Sequence, residues 1–493
     1  MLLGDIAHRG AVLWPDRCAF TWGGRRRDYR ELAARVDRLR GLLAAGGVRA
    51  GSRVALLSVN VPEVLEATFA ASLLGAAVVP LNVRLTPAEI RFQVADAQAR
   101  HAIVHPALAA LAVGSGLFEL THWTIGPELD AALDAVPEEV PGSEAARPSG
   151  DTPVMQLYTS GTTGRPKGCL LTDRGWVAST VNAVLAFGLT GEDRLLGALP
   201  LFHVAGFGAA LGTLSAGGTV VFPGGASIDE AWALVREHGV TVAVFAAGTW
   251  RALRHPEAVP GRLRLVFGMA GIERPRTLEA LSVAGCDFRG VYGSTEAGNF
   301  VLVSTLADEL ERPGTAGRPL PPFDLAIEGG GDTGELLIRG ASLMAGYAGL
   351  PEATATALAG GWLHTGDLLR RDAGGFFYFV DRAKDMIKTG GENVYPAEVE
   401  RVLLEHPGVA DVAVVGVPDR RWGEAVKALV VAGGPLTPEE LDDHCRGLLG
   451  GFKRPRWYEL VEAIPRNHSG KILKRELRAA HDPATAVRLP EGR

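Results

Sequence analysis

The stretch Leu157 to Thr172, LYTSGTTGRPKGCLLT, gathers hydroxyl side chains and glycines around one lysine. Ser160, Thr162 and Thr163 offer hydroxyl donors, Gly161 and Gly164 loosen the backbone, and Lys167 adds a mobile positive charge. Consecutive small residues let several backbone N–H groups turn toward one anion and form a concave nest. That is phosphate-binding chemistry. The familiar P-loop reads G-x-x-x-x-G-K-[ST], and this loop does not spell it. Counted from Gly161, the second glycine position holds Pro166, and the hydroxyl position after Lys167 holds Gly168. A P-loop nucleoside triphosphatase is therefore excluded.

Further stretches carry chemistry only in combination. YGSTEAG (Tyr292 to Gly298) offers a ring, a hydroxyl and the carboxylate of Glu296. HTGD ends in Asp367, and PRNHSGK places Lys471 in a Ser-Gly loop. Alone, a Glu or a Tyr is an ordinary side chain, T-G-D is a common turn, and a lysine near a C-terminus is solvated surface. Together with PLFHVAG, GELLIRG and DRAKDMIKTGGENVYPAEVE, in this order, they resemble the motif set of the adenylate-forming superfamily. That superfamily holds acyl-CoA synthetases, standalone adenylation enzymes and luciferases. NVPEVLEATFAASLLGAAVVPLNVRLTPAEI matches the family's usual text near the N-terminus, so the resemblance spans nearly the whole chain.

The resemblance implies a two-step, AMP-forming acid–thiol ligase with ATP, Mg²⁺ and coenzyme A as its cofactors. A carboxylate attacks the α-phosphate of ATP and releases pyrophosphate; a thiol then displaces AMP from the acyl-adenylate. The first step needs no general base, because a carboxylic acid of pKa about 4–5 is already ionised. It needs positioning and charge neutralisation. By resemblance, the loop from Thr159 through Lys167 holds the β- and γ-phosphates. Tyr292 stacks on adenine beside Gly271 and Gly293, Thr295 bonds the α-phosphate region, and Glu296 holds Mg²⁺. Asp367 and Arg382 take the ribose hydroxyls, as acidic residues do in dinucleotide sites. Lys471 reaches in from the small domain and bridges carboxylate and α-phosphate. The small domain then turns about Lys384 and brings up Gly390, Gly391 and Glu392, whose glycines leave room for pantetheine. Glu392 would draw the His203 ring aside to open that tunnel; an ordinary buried histidine is the other reading. Lys453, Arg454 and Arg456 in GFKRPRW could meet the CoA phosphates or form a solvated basic turn.

The acyl pocket, again by resemblance, is lined by Phe207, Phe245, Ala246, Ala247, Gly248, Met269, Ala270, Gly271 and Asn299. The set is apolar and small, with no Arg or Lys to pair a second carboxylate. An aryl or medium-chain acid is the expected substrate. A carrier-protein phosphopantetheine arm stays open as an alternative acceptor, as does a homodimeric assembly.

These residues need elements to hold them. With 493 residues the chain exceeds one ordinary domain. Its composition, 47% hydrophobic and 22% charged, is that of a globular protein, and its net charge of -6 argues against general nucleic-acid binding. The four cysteines lie far apart without C-x-x-C spacing, which fits a reducing cytoplasm. The apolar stretch Leu195 to Phe222 holds six glycines, Pro200 and His203, so it reads as buried strand–loop–helix–strand rather than a membrane span. Helical and strand signals alternate: RDYRELAARVDRLRGLLAAGG, then SRVALLSVN, PEVLEATFAASLLG and GAAVVPLN. The expected fold class is α/β, doubly wound, with a distorted barrel and a small mobile α+β domain implied by the resemblance. The boundary is placed between residues 1–383 and 384–493.

Overall fold

The computed structural model describes residues 1–136, 147–159, 166–224, 228–244, 259, 261–271, 275–382, 385–389, 392–446, 448–466 and 472–489. The chain divides into two compact units. One is Met1–Leu325 with Leu337–His364; the other is Ala326–Leu336 with Thr365–Arg493.

The first unit carries two sheets. Its strands begin with β1 (Cys18–Trp22), β2 (Arg25–Asp28), β3 (Arg53–Leu57), β4 (Ala77–Pro80), β5 (His101–Val104) and β6 (Thr121–Thr124). Next come β7 (Pro153–Thr159), β8 (Lys167–Thr172), β9 (Arg194–Leu196), β10 (Thr219–Phe222) and β11 (Val242–Val244). Then follow β12 (Leu265–Met269), β13 (Asp287–Ser294), β14 (Asn299–Thr305) and β15 (Thr315–Pro319). The chain passes through β16 (Phe323–Ile327) and β17 (Thr333–Gly340) before β18 (Gly346–Tyr347). One sheet runs β18-β8-β7-β4-β3-β5-β6; the other runs β15-β14-β13-β12-β11-β9-β10-β1-β2 within the unit.

Local sequence explains these elements. RVALL, AVVP and HAIV are short, nearly continuous apolar runs, and they pair as parallel strands buried on both faces. The Tyr29–Ala45 helix starts on a capping box, with Asp28 accepting from the Glu31 N–H, and stops at Gly46. The Pro62–Leu74 helix takes Pro at its first position and ends on Gly75 at φ +68°. Leu57, Val79, Ile90 and Val104 close one core. Trp232, Val266, Leu278 and Phe288 close another. The apolar stretch around Pro200 folds as β9, the Val204–Ser215 helix and β10, as its glycines suggest. Among the described residues no helix is long and apolar enough to cross a membrane.

In the second unit, β19 (Leu363–Arg371) and β20 (Phe377–Arg382) form the antiparallel hairpin announced by LRRDAGGFFYFVDR. The strands β21 (Ile387–Thr389), β22 (Glu392–Val394), β23 (Val409–Asp419), β24 (Gly423–Ala432), β25 (Trp457–Leu460) and β26 (Val487–Arg488) make a separate sheet. Its order is β22-β21-β24-β25-β26, with β23 paired to β24. The Pro396–Glu405 helix is tied to the hairpin by the Ala397 N–H, which donates to Asp381 Oδ2 at 3.1 Å. Lys427 on β24 is fully buried, with Glu459 at 2.6 Å and His481 Nδ1 at 3.2 Å.

Candidate active site

Strand direction gathers the motifs of the first unit. β9, β11, β12 and β13 run parallel, and open α/β sheets bind ligands beyond the carboxyl ends of such strands. His203 follows β9, Met269 to Gly271 end β12, and Tyr292 to Glu296 end β13. Phe245 to Gly248 follow β11 and lie outside the described residues.

The phosphate-loop motif is a hairpin connection between β7 and β8, with Thr159 opposite Lys167. Ser160 to Gly164 lie outside the described residues. From the hairpin's exit, Lys167 Nζ sits 4.8 Å above the Tyr347 ring. Tyr347 Oη donates to Glu296 Oε1 at 3.0 Å. Cation, phenol and carboxylate thus stand in a row. Burial and the nearby Glu296 charge raise the Tyr347 pKa, so the phenol stays protonated and donating.

The TEAG turn is fixed from several sides. The Ala297 N–H donates to Ser294 Oγ at 3.1 Å, and the Gly298 N–H donates to the Thr295 carbonyl at 3.0 Å. The strap from Ser342 to Met344 holds it from outside. Ser342 Oγ donates to the Ala297 carbonyl at 2.8 Å, and the Met344 N–H donates to the Glu296 carbonyl at 2.9 Å. Beneath lies the buried Cys169 thiol, 3.5 Å from Met344 Sδ. Gly298 is needed here: φ is +75°, and a Cβ would stand 2.0 Å from the Ser342 carbonyl oxygen.

Other expected residues take distinct places. Tyr292 is half-buried beside a bulge that shifts the register before Gly293. Gly271 adopts φ +74°, and its N–H donates to Glu309 Oε1 at 3.1 Å. Burial raises the Glu309 pKa, while Ser304 Oγ at 2.6 Å and the Gly271 N–H oppose that rise. Met269 is exposed and Ala270 half-buried. Phe207 is fully buried, edge-on to Trp176 of the Asp173–Phe187 helix with centroids 4.9 Å apart. Asn299 is buried at φ +130°, and its Nδ2, lying against Gly208, has no hydrogen-bond partner. His203 is the N-cap of the Val204–Ser215 helix, Nδ1 accepting from the Ala205 N–H at 3.3 Å. Lost hydration lowers its imidazole pKa below the ordinary 6.5, so the ring is neutral at neutral pH.

In the second unit, Asp367 on β19 stands directly opposite Arg382 on β20. Asp367 is buried, and its N–H donates to Thr365 Oγ1 at 3.1 Å. Glu392 pairs with Thr389 across β21 and β22. Lys384, Gly390, Gly391 and Lys471 lie outside the described residues. Of the basic turn, Lys453 is paired with Glu398 at 2.7 Å, and Arg454 meets Asp442 at 3.2 Å.

Residues 8–348 match the family model described as AMP-binding enzyme. The chain belongs to that family. Residues 398–471 match the AMP-binding enzyme C-terminal domain. The relatives of this AMP-binding enzyme include a feruloyl-CoA synthase of Amycolatopsis sp, 40% identical, with 97% of this chain and 98% of that protein covered. Among solved structures, o-succinylbenzoate CoA synthetase from Bacillus subtilis, in complex with the acyl-adenylate intermediate OSB-AMP, superposes with a TM-score of 0.87. It is 31% identical over 97% of this chain and 98% of that one. The same protein in complex with ATP and magnesium ion gives a TM-score of 0.86 at 32% identity over 96% and 98%. The chain is thus an AMP-forming ligase of the adenylate-forming superfamily.

Three residues that touch the candidate motifs escaped sequence reasoning: Tyr347 at Glu296, Cys169 beneath the TEAG turn and Glu309 at Gly271. Tyr347 had a faint signal, since it follows the glycine of MAGY in the motif after GELLIRG. Glu309 had none, because its partner Gly271 lies 38 residues away. Glu296 offers a carboxylate of the kind Mg²⁺ favours alongside phosphate oxygens, and the Lys167 ammonium stands over the ring of the same tyrosine that bonds it.

Proposed function

We propose that the protein activates an aryl carboxylic acid with ATP and passes the acyl group to coenzyme A. The acid's carboxylate oxygen bonds to the α-phosphorus, and the bond to the pyrophosphate oxygen breaks. The CoA thiolate then attacks the acyl carbon, and AMP leaves with the former bond electrons. The observation that carries this reading is the row Lys167–Tyr347–Glu296, a cation and a carboxylate linked through one side chain. Bound Mg²⁺ would neutralise charge on the phosphates. Lys167 would hold the pyrophosphate end, Thr295 the α-phosphate region, and Asp367 with Arg382 the ribose. Lys471 would bridge carboxylate and α-phosphate, and rotation about Lys384 would exchange it for Gly390 to Glu392. Feruloyl-CoA synthase and indoleacetate–CoA ligase among the relatives are named for aromatic acids with one carboxylate, in keeping with the expected apolar lining, whereas another relative is named as a fatty acid–[acyl-carrier-protein] ligase. The cytoplasm is the proposed location.

The test is AMP release with CoA across aryl, short-, medium- and long-chain acids, with pyrophosphate recorded in parallel. AMP formed with an aryl acid and CoA supports the reading. Pyrophosphate without CoA-dependent turnover moves the acceptor to a carrier-protein pantetheine arm. Preference for an aliphatic acid overturns the aryl assignment.

A further inference from the structure

The site's metal carboxylate and its loop lysine come from segments far apart in sequence, yet one side chain touches both. Tyr347 lies on the two-residue strand β18, opposite Cys169 of β8. Lys167 is two residues before Cys169, hence on the same face and diagonal to Tyr347. That register puts Nζ 4.8 Å from the ring centroid, within the range of a cation–π contact. The hydroxyl at the ring's far end donates to Glu296 Oε1 at 3.0 Å.

The ring is itself held. The Tyr347 backbone N–H donates to Thr354 Oγ1 at 2.9 Å, and the next residue's N–H, from Ala348, donates to the Gly168 carbonyl at 2.8 Å. Gly346 enters the strand at φ +142°, where a Cβ would meet Thr354 Cγ2 at 2.5 Å. Tyr347 is therefore placed by backbone on both sides before any ligand arrives.

We propose that Tyr347 is a positioning residue that sets the Glu296 carboxylate for a divalent cation and perches Lys167 beside it, so that metal and phosphate sites act as one unit. This rests on the assignment of Glu296 to the cation. A carboxylate has room for about four hydrogen-bond or metal contacts, so one phenolic bond orients it without using it up. Groups that orient metal ligands in this way are worth about 10–100-fold in metal affinity.

The test is ATP binding by calorimetry, with and without Mg²⁺, in the full chain and in Tyr347→Phe, Tyr347→Leu and Glu296→Gln. Phenylalanine keeps the ring and every backbone bond, and the thermal midpoint checks the fold. Tyr347→Phe is expected to raise the Mg²⁺ concentration for half-maximal tightening about 10-fold while metal-free ATP affinity stays within about 2-fold. Tyr347→Leu also removes the perch and weakens metal-free ATP binding by about 2–5-fold. Joined to Glu296→Gln, Tyr347→Phe adds nothing further. Mg²⁺ dependence lost in Glu296→Gln but untouched in Tyr347→Phe overturns the proposal alone. Mg²⁺ dependence retained in Glu296→Gln overturns the cation assignment and the proposal with it. If Tyr347→Phe does not fold, the Tyr347→Leu measurement decides: unchanged metal-free and Mg²⁺-dependent binding refutes it.

Discussion

Replacing Asp173 by Asn should change stability in a way that depends on pH. Asp173 is fully buried at the first position of the Asp173–Phe187 helix. Its Oδ1 accepts from the Leu3 N–H and from Ser72 Oγ, each at 2.7 Å, while Oδ2 has no partner. A helix N-terminus favours an anion, and Ser72 helps. Burial outweighs both and pushes the carboxyl pKa from 3.8 up to about 6. Between these values the folded state binds more protons than the unfolded chain, so stability falls as pH rises, and the full penalty is present above about 6. A rise of about two units amounts to about 3 kcal/mol. Roughly 2 kcal/mol of it falls between about pH 4.5 and pH 7.5. Asparagine keeps the two accepted bonds and cannot titrate; its amide N–H₂ replaces an already unpartnered oxygen, a constant offset of about 1–3 kcal/mol. The stability of Asp173→Asn relative to the parent should therefore improve by about 2 kcal/mol across that pH range. Urea unfolding at three pH values measures it. A difference independent of pH would refute the reasoning.

Gly298→Ala should displace the TEAG turn, because the new Cβ would stand 2.0 Å from the Ser342 carbonyl oxygen at φ +75°. ATP–pyrophosphate exchange should drop at least about 10-fold, for about 1.4 kcal/mol of lost transition-state stabilisation; unchanged exchange would mean the turn does not place Glu296. In the second unit, Glu459→Gln leaves the fully buried Lys427 ammonium without its charge partner and should cost about 3–5 kcal/mol. Hydrogen exchange along β24 reads this loss, and adding Lys427→Met should restore protection; no recovery would place the cost elsewhere.

Much of the fold was legible because local signals agreed with it. The Asp28 capping box, the Gly75 stop and the parallel apolar strands are each written within a few residues. The resemblance assigns Asp367 and Arg382 to one ligand group without saying how they are placed, and the hairpin register sets the two opposite one another. What stayed hidden depends on distant partners. Nothing near Tyr347 tells that Glu296 lies at its hydroxyl, 51 residues away in sequence. Asn299 carries a positive φ that nothing in its residue type requires, on the strand facing the register shift ahead of Gly293 and with its side-chain amide against Gly208. The edge-on contact of Phe207 with Trp176 likewise joins two separate helices and is not written near either residue.

The buried thiol beneath the TEAG turn has a practical consequence. Burial holds Cys169 well above the ordinary thiol range, Cys286 at about 12 and Cys445 at about 11, so at neutral pH none of the three presents a reactive thiolate. Cys18 alone is partly exposed. One equivalent of a thiol reagent therefore marks the native chain at a single place, and every further equivalent counts an opening of the interior. Uptake at Cys169 in particular clocks how often the strap from Ser342 to Tyr347 lifts off the phosphate-loop hairpin, with no introduced cysteine needed.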